Sequence, residues 1–246
     1  MKICSSLIND IKQGYFEKVI LSRVKKKTIT LNPFDIFENL NANYSNTFNY
    51  IISIENEGCW IGATPEVLVN IEDLICETVS IAGTKSKLTN KWGEKEIEEQ
   101  QLVTDYITGE LKSHLRKTEI KGPYTITAGE VEHLKTEFSG TLINKKNWPL
   151  LINGLHPTPA TCGIPKIKAK KHIEDIEMHQ RKFYTGFLGP ISPSKMKFFV
   201  NLRCMEIQKK DAYLYLGGGI TSKSVAEEEW NETENKAKTL LNAIIL

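Results

Sequence analysis

Two acidic segments with the same spacing suggest a metal site. Glu229 and Glu232 stand three residues apart near the C-terminus, and Lys236 follows four residues later. A second acidic segment repeats the spacing with Glu96 and Glu99. In a helix, residues at i, i+3 and i+7 share one face, and carboxylate oxygens are ligands that Mg²⁺ prefers. Together the segments predict a Mg²⁺ site that binds an anionic substrate, although glutamate runs are also common on solvated helix faces.

Two other segments offer groups for acid–base chemistry. Lys18 lies in the apolar strand pattern EKVILSR, where burial would favour the neutral amine, a competent general base. Glu66 follows a proline in WIGATPEVLV, where a carboxylic acid in a cleft could hold a proton. Each also has an ordinary structural interpretation, a lysine that reaches solvent from a strand edge and a hydrated turn glutamate.

Several small residues and one arginine are candidates for binding an anion. The small-residue turn in SIAGTKS contains Gly83 and Thr84, whose backbone N–H groups and hydroxyl can approach an anion. Arg203 could form a bidentate pair with a carboxylate. The glycine triplet in YLGGGI predicts a turn, where Gly218 and Gly219 would present backbone donors. Its context matches neither a dinucleotide-binding fingerprint nor a P-loop.

Composition narrows the function classes. The chain has 246 residues and a formal net charge of +2, so no strong field favours nucleic acid or membrane as a partner. Its five cysteines show no metal-ligand spacing, which favours free thiols in a reducing cytoplasm. The N-terminus lacks a secretory signal pattern, and no apolar run is long enough to span a membrane.

The order of predicted elements favours an α+β fold with antiparallel sheets. Strand patterns arrive mostly as hairpins and meanders, and no interdomain linker is visible, so one domain over residues 1–246 is expected. Helices are predicted at about 5–13, 33–41, 94–115, 147–154, 165–178 and 225–243. Strands are predicted at about 16–24, 48–54, 58–63, 66–71, 74–81, 124–143, 184–191, 197–207 and 212–217.

Taken in order, these motifs resemble the chorismate-binding enzymes, from about Glu17 to the C-terminus. That family includes isochorismate synthase, salicylate synthase, anthranilate synthase component I and aminodeoxychorismate synthase component I. The resemblance rests on EKVILSR, IGATPEVLV, SIAGTKS, KEIEEQQLVTD, VEHLKTEFSGTL, LHPTPATCGIPK, FYTGFLGPI, FFVNLRCM, LYLGGGI and EEEWNETENK.

The resemblance implies a fold of large antiparallel sheets in a sandwich flanked by helices. It also implies chorismate as substrate and Mg²⁺ as cofactor. Lys18 matches the lysine that activates water, and Glu66 matches the general acid. The implied metal ligands are Glu96, Glu99, Glu229 and Glu232. The implied substrate-binding residues are Gly83, Thr84, His133, Tyr184, Arg203, Gly218, Gly219 and Lys236.

Within the family, three features favour isochorismate synthase. Lys18 is present. Ala82 stands at the position where aminodeoxychorismate synthases resemble one another by carrying a lysine. The HPTPA loop at 156–160 looks like the loop of isochorismate synthases. Salicylate synthase, anthranilate synthase component I and a non-catalytic chorismate-binding fragment stay open as alternatives. Menaquinone and siderophore biosynthesis are equally open as pathways, and the chain is expected to be a monomer or a weak homodimer.

The chain departs from the family pattern at two places. Its EKVILSR strand begins at residue 17, whereas relatives carry a longer preceding region. We therefore expect either a naturally short form or a truncated chain that lacks the N-terminal strands. Gln100 stands where a histidine is common beside the metal glutamate, a change expected to be tolerated.

Overall fold

Helices and antiparallel strands alternate along the chain in the computed structural model, which describes residues 2–128 and 131–244. The helices are α1 (Lys2–Lys12), α2 (Pro33–Asn43), α3 (Glu94–Lys112), α4 (Trp148–Leu155), α5 (Lys166–Ile176) and α6 (Ala226–Ile244). The strands are β1 (Lys18–Thr28), β2 (Phe48–Ile54), β3 (Gly58–Thr64), β4 (Val67–Glu72), β5 (Ile75–Ser86), β6 (Leu115–Ala128), β7 (Val131–Leu142), β8 (Gly163–Ile164), β9 (Phe187–Leu188), β10 (Lys195–Val200), β11 (Cys204–Gln208) and β12 (Asp211–Ile220). The predicted α+β class is confirmed.

The chain divides into two units, and unit 1 comprises Met1–Glu66, Cys162–Leu188 and Phe199–Leu246. Its sheet has the order β2-β3-β11-β12-β1-β8, with antiparallel neighbours throughout. Leu40 of α2 and Leu240 of α6 are fully buried in one apolar cluster with sheet residues. Leu7 of α1 joins a second cluster with Val19 of β1. Burial of each such side chain contributes about 1.5–3 kcal/mol, which holds α1, α2 and α6 against the sheet.

Helix α2 begins where the sequence predicts. The Asn32 side-chain oxygen accepts hydrogen bonds from the backbone N–H groups of Phe34 and Asp35, at 2.9 and 3.0 Å. Pro33 occupies the first helical position, where its missing N–H costs nothing. The cap is local in sequence, which is why it can be recognised without the fold.

Unit 2 comprises Val67–Thr161 and Gly189–Phe198. Its strands follow the order β6-β7-β5-β4-β10, and the pairings of β6 with β7, β7 with β5, and β5 with β4 are antiparallel. Helix α3 buries Val103, Ile107 and Leu111 on one face, as its apolar stripe predicts. The single catalytic domain predicted over residues 1–246 stays a prediction.

Three boundary predictions are wrong. The long helix ends at Lys112, and Leu115 already opens β6. The strand expected near 184–191 is reduced to Phe187–Leu188. The predicted strand region 124–143 does contain the end of β6 and all of β7, with residues 129 and 130 outside the described part of the chain, but β6 begins earlier, at Leu115.

The glycine triplet is not a turn. Gly217, Gly218 and Gly219 lie inside β12 and pair with Ser22, Leu21 and Ile20 of β1. Glycine is weak in a strand interior and marks a place where other groups approach the backbone closely.

The cysteines are free thiols: all five lie within the described residues and none forms a disulfide. No helix in residues 2–128 and 131–244 is long and apolar enough to cross a membrane.

Candidate active site

Lys18 is the buried basic group of unit 1. It opens β1 between β8 and β12, where Val19 pairs with Gly163 on one side and with Ile220 on the other. Only 2% of the Lys18 surface is exposed. Its Cε lies 2.8 Å, and its Nζ 3.4 Å, from the position that a Cβ would take at Gly219. The side chain therefore lies across residues 217–219 of β12, the glycine strand. The alternative of a lysine that reaches solvent is wrong.

Glu66 lies just after β3 in the same unit. Its carbonyl oxygen accepts a hydrogen bond from the Val200 N–H at 2.9 Å, which fixes the backbone at this turn. Burial raises the pKa of the Glu66 carboxyl to about 7, and the positive charges of Lys18 and Lys236 only partly oppose this. A carboxyl with that pKa keeps its proton in about half of the molecules at pH 7, and a general acid requires that proton.

Lys236 reaches the glycine strand from α6. Its Nζ donates to the Gly217 carbonyl oxygen at 3.0 Å and forms an ion pair with Glu232 at 2.6 Å. The charges of Lys18 and Lys236 both act on the Glu66 carboxyl, so the three predicted residues share one electrostatic environment.

Glu229 is the buried carboxylate of α6, with 6% of its surface exposed. Its Oε1 accepts a hydrogen bond from the Ser224 hydroxyl at 2.6 Å. Its Oε2 lies 3.6 Å from the position of a Cβ at Gly218. Burial raises the pKa of the Cys4 thiol, and the negative charge of Glu229 raises it further.

Tyr184 is the fourth side chain against the glycine strand. Its ring stacks on Tyr215 with centroids 5.6 Å apart, and its hydroxyl lies 2.6 Å from the Cβ position at Gly217. Burial raises the pKa of the Tyr184 phenol, so the group stays a neutral donor. Side chains at 217 and 219 would meet Tyr184 and Lys18, which explains the need for glycine there.

Arg203 has a partner on α6. Its Nη1 donates to the Thr239 hydroxyl at 3.0 Å, and burial lowers the pKa of its guanidinium. The bond commits one nitrogen of the guanidinium, and the role of Arg203 as a carboxylate ligand stays a prediction.

In unit 2, Gly83 and Thr84 lie at a bulge inside β5 and not in the predicted turn, and both approach His133. The register of β5 against β7 shifts between Ala82 and Thr84, and Gly83 has a φ of +71° there. The His133 Nδ1 lies 3.0 Å from the Thr84 hydroxyl and 3.3 Å from the Gly83 carbonyl oxygen. A Cβ at Gly83 would lie 2.7 Å from the carbonyl oxygen of Glu96, so this bulge requires glycine.

The other acidic pair, Glu96 and Glu99, lies on α3 in unit 2 and is partly buried. No three His, Cys, Asp or Glu residues in the described parts of the chain already form a metal-binding group. The four predicted ligands nevertheless offer only carboxylate oxygens, the donor chemistry that suits Mg²⁺. Their role as metal ligands stays a prediction.

Sequence reasoning missed three polar side chains beside these residues. Glu177 accepts hydrogen bonds from the Ser22 N–H and hydroxyl, at 2.7 and 2.8 Å, and Arg181 binds the same carboxylate at 2.6 and 2.8 Å. Arg181 also donates to the Ile20 carbonyl oxygen at 2.8 Å. Strand β8 pairs only with Lys18 and Val19 of β1. Beyond them, the Ile20 carbonyl oxygen and the Ser22 N–H are bonded to Arg181 and Glu177 instead of to a strand.

The third missed side chain is Ser224. Its S-x-x-E pattern, a capping-box signature, was the available signal.

Gln100 has a structural role. It is almost fully buried, its amide donates to the hydroxyls of Ser80 and Thr136 at 2.8 and 3.0 Å, and its oxygen accepts from the Ala82 N–H at 2.8 Å. These bonds join α3 to β5 and β7.

A pocket of about 250 Å³ lies within unit 1 beside Glu229 and Gly218. Its walls come from α1, β1, α6 and residues 176–179, with Trp230 and Met178 among the apolar side chains. Lys18 and Glu66 are not part of its lining.

Known proteins that resemble the chain include enzymes of two types. It is 29% identical to anthranilate synthase component 1 of Saccharolobus solfataricus (99% of this chain, 61% of that protein) and 27% identical to isochorismate synthase MenF of Escherichia coli (94% and 56%). The solved structure of MenF, the menaquinone-specific isochorismate synthase from E. coli, has a TM-score of 0.88 at 25% identity, over 99% of this chain and 60% of that one.

The chain spans about half to three-fifths of the length of the curated relatives it matches. A family model described as chorismate binding enzyme matches residues 1–245. On this match over almost its whole length, the chain belongs to the family of chorismate-binding enzymes.

Proposed function

We propose that this protein is an isochorismate synthase, which converts chorismate to isochorismate by adding water at C2 and releasing the C4 hydroxyl. The observation that carries the proposal is a buried lysine, Lys18, whose charge acts on Glu66, a carboxyl whose pKa burial raises to about 7. An amine that accepts a proton and a carboxyl that keeps one are the two groups this reaction needs.

The reaction needs two proton transfers, one to Lys18 and one from Glu66. Lys18, in the form with a neutral amine, takes a proton from the water whose oxygen bonds to C2. The ring double bonds shift, and the C4–oxygen bond breaks. Glu66 gives its proton to the leaving hydroxyl, which departs as water. Proton transfer by each group contributes about 10²–10⁴-fold to the rate.

Binding and orientation fall to the other predicted residues. Tyr184, a neutral buried donor, and Lys236, a cation near Glu66, suit the substrate's carboxylates. Glu96, Glu99, Glu229 and Glu232 are the residues proposed to hold Mg²⁺. When bound, Mg²⁺ offsets the repulsion among carboxylates and fixes the ring carboxylate.

Two features support this member of the family over its relatives. Lys18 supplies the base that water addition needs. Position 82 is a buried alanine whose N–H is bonded to Gln100, so the lysine nucleophile of aminodeoxychorismate synthases is absent from that position. The free thiols also suit the cytoplasm, where either menaquinone or siderophore biosynthesis would use the product.

The second candidate is anthranilate synthase component I, because a protein of that name is 29% identical to the chain. It would use ammonia in place of water. Salicylate synthase differs by a later step that releases pyruvate.

One experiment separates these functions. The purified chain is incubated with chorismate and Mg²⁺, with and without ammonia, and every product is identified by chromatography. Isochorismate alone supports the proposal. Anthranilate formed only with ammonia, or salicylate with pyruvate, would replace it. No consumption of chorismate would favour a binding fragment without activity.

A matched pair of variants tests the base. Lys18→Ala should abolish turnover, whereas Lys26→Ala, which removes an exposed lysine of the same strand, should not. Near-normal turnover by the Lys18 variant would rule out the assignment.

A further inference from the structure

The Glu229 carboxylate is held in part by a neighbouring hydroxyl. Glu229 is buried on the first turn of α6, and the Ser224 Oγ lies 2.6 Å from its Oε1. A buried carboxylate needs hydrogen-bond donors, and this short contact is one of the interactions that hold the group.

The direction of the Ser224 hydrogen bond can be assigned from its other partners. Its Oγ accepts the backbone N–H of Thr221 at 3.0 Å. A serine hydroxyl has one proton, and the alternative acceptor, the Thr221 hydroxyl, is 3.5 Å away, at the limit of a hydrogen bond. The much shorter contact therefore receives the proton, and Ser224 donates to Glu229.

The loop that carries Ser224 is itself fixed. The Ser224 N–H donates to the Thr221 carbonyl oxygen at 3.2 Å, and both residues are buried. The hydroxyl thus projects from a closed turn instead of a mobile loop. With Oε1 held by this bond, Oε2 lies beside Gly218 in the strand.

We propose that Ser224 is a positioning residue that fixes the Glu229 carboxylate for a divalent cation. The inference rests on the proposed function, in which Glu229 is a metal ligand. Outer hydrogen bonds that orient metal-binding carboxylates typically change metal affinity by about 10–100-fold when removed. An ordinary helix cap would instead change stability and leave metal affinity as it was.

Four proteins test the proposal: wild type, Ser224→Ala, Ser224→Thr and Ser222→Ala. The last is the matched control, because Ser222 lies in the same loop but is exposed. The probe is Mn²⁺, an oxygen-preferring ion like Mg²⁺, titrated while the electron paramagnetic resonance signal of the free ion is followed. Thermal unfolding without metal is measured in parallel.

We expect Ser224→Ala to bind Mn²⁺ about tenfold or more weakly than wild type. Ser224→Thr, which keeps the hydroxyl, should recover most of the affinity, and Ser222→Ala should match wild type. Equal affinity in Ser224→Ala and wild type, with a lower melting temperature alone, would overturn the positioning role and leave the proposed function standing. A wild-type protein that binds no Mn²⁺ and consumes no chorismate would overturn the proposed function itself.

Discussion

Replacing Gly219 by alanine should displace the Lys18 amine. A Cβ at Gly219 would lie 2.8 Å from the Lys18 Cε and 3.3 Å from the Ile20 Cδ1. Carbon atoms in contact are about 3.5–4.0 Å apart, so the Lys18 Cε must move by about 1 Å. The backbone of Gly219 cannot yield easily, because it is paired with Ile20 of β1.

The displacement should affect the rate more than binding. A misplacement of about 1 Å can cost about 10²-fold in rate, so we expect kcat for isochorismate formation to fall about a hundredfold. The displaced lysine should act on kcat, since Lys18 is proposed to act on water, and any rise in KM would report on Gly219 itself, a proposed substrate-binding residue. The added methyl group should lower the free energy of unfolding by about 1–3 kcal/mol, a typical effect of overpacking.

The assay compares chorismate turnover with urea denaturation for Gly219→Ala and for a matched control, Gly109→Ala. Gly109 lies on the exposed side of α3, and a Cβ there would have no neighbour within 4 Å. The control should keep full activity and gain about 1 kcal/mol from helix propensity. A Gly219→Ala enzyme with kcat within about twofold of wild type would refute the claim that Lys18 must lie where it does.

Three further outcomes follow from buried polar groups. Because Glu66 must hold its proton, kcat/KM should fall as pH rises through about 7, and a profile flat to pH 9 would contradict its role as the acid. In a urea titration, Arg181→Met should lower the free energy of unfolding by about 3–5 kcal/mol, because it leaves Glu177 buried without its counter-charge. The control Lys195→Met, which breaks an exposed ion pair, should lower it by at most about 1 kcal/mol. Gln100→Ala should cost about 1–3 kcal/mol by the same measurement, since buried donors and acceptors lose their partner, and an unchanged midpoint would contradict that.

Local sequence signals predicted the elements whose cause is local. The start of α2 follows from Asn32 and Pro33, which satisfy the helix end themselves. The glycine triplet failed because its reason is tertiary: Gly217 and Gly219 lie in a strand that two distant side chains cross, and turn propensity cannot report this. The first half of β6 was missed because its residues are mostly exposed and charged, and its register shifts near Gly122 weaken the alternation further.

The same distinction applies to the candidate site. Lys18 and Glu66 could be named from motif context, but their shared environment depends on the fold. The Glu177 contact to Ser22 spans 155 positions, so no spacing rule could find it. Ser224 and Glu229 are only five residues apart, yet the capping pattern points to Glu227, whereas the hydroxyl binds the buried glutamate.

The electrostatics of Glu66 link substrate binding to its protonation. In the protein alone, burial raises the pKa of the carboxyl, while the charges of Lys18 and Lys236 lower it. The proposed substrate carries two carboxylates. Any carboxylate that pairs with Lys236 offsets part of the charge that favours ionised Glu66 and adds a negative charge nearby. Both effects raise the pKa of Glu66 in the complex, so binding of the substrate would itself secure the proton that the reaction then transfers to the leaving hydroxyl.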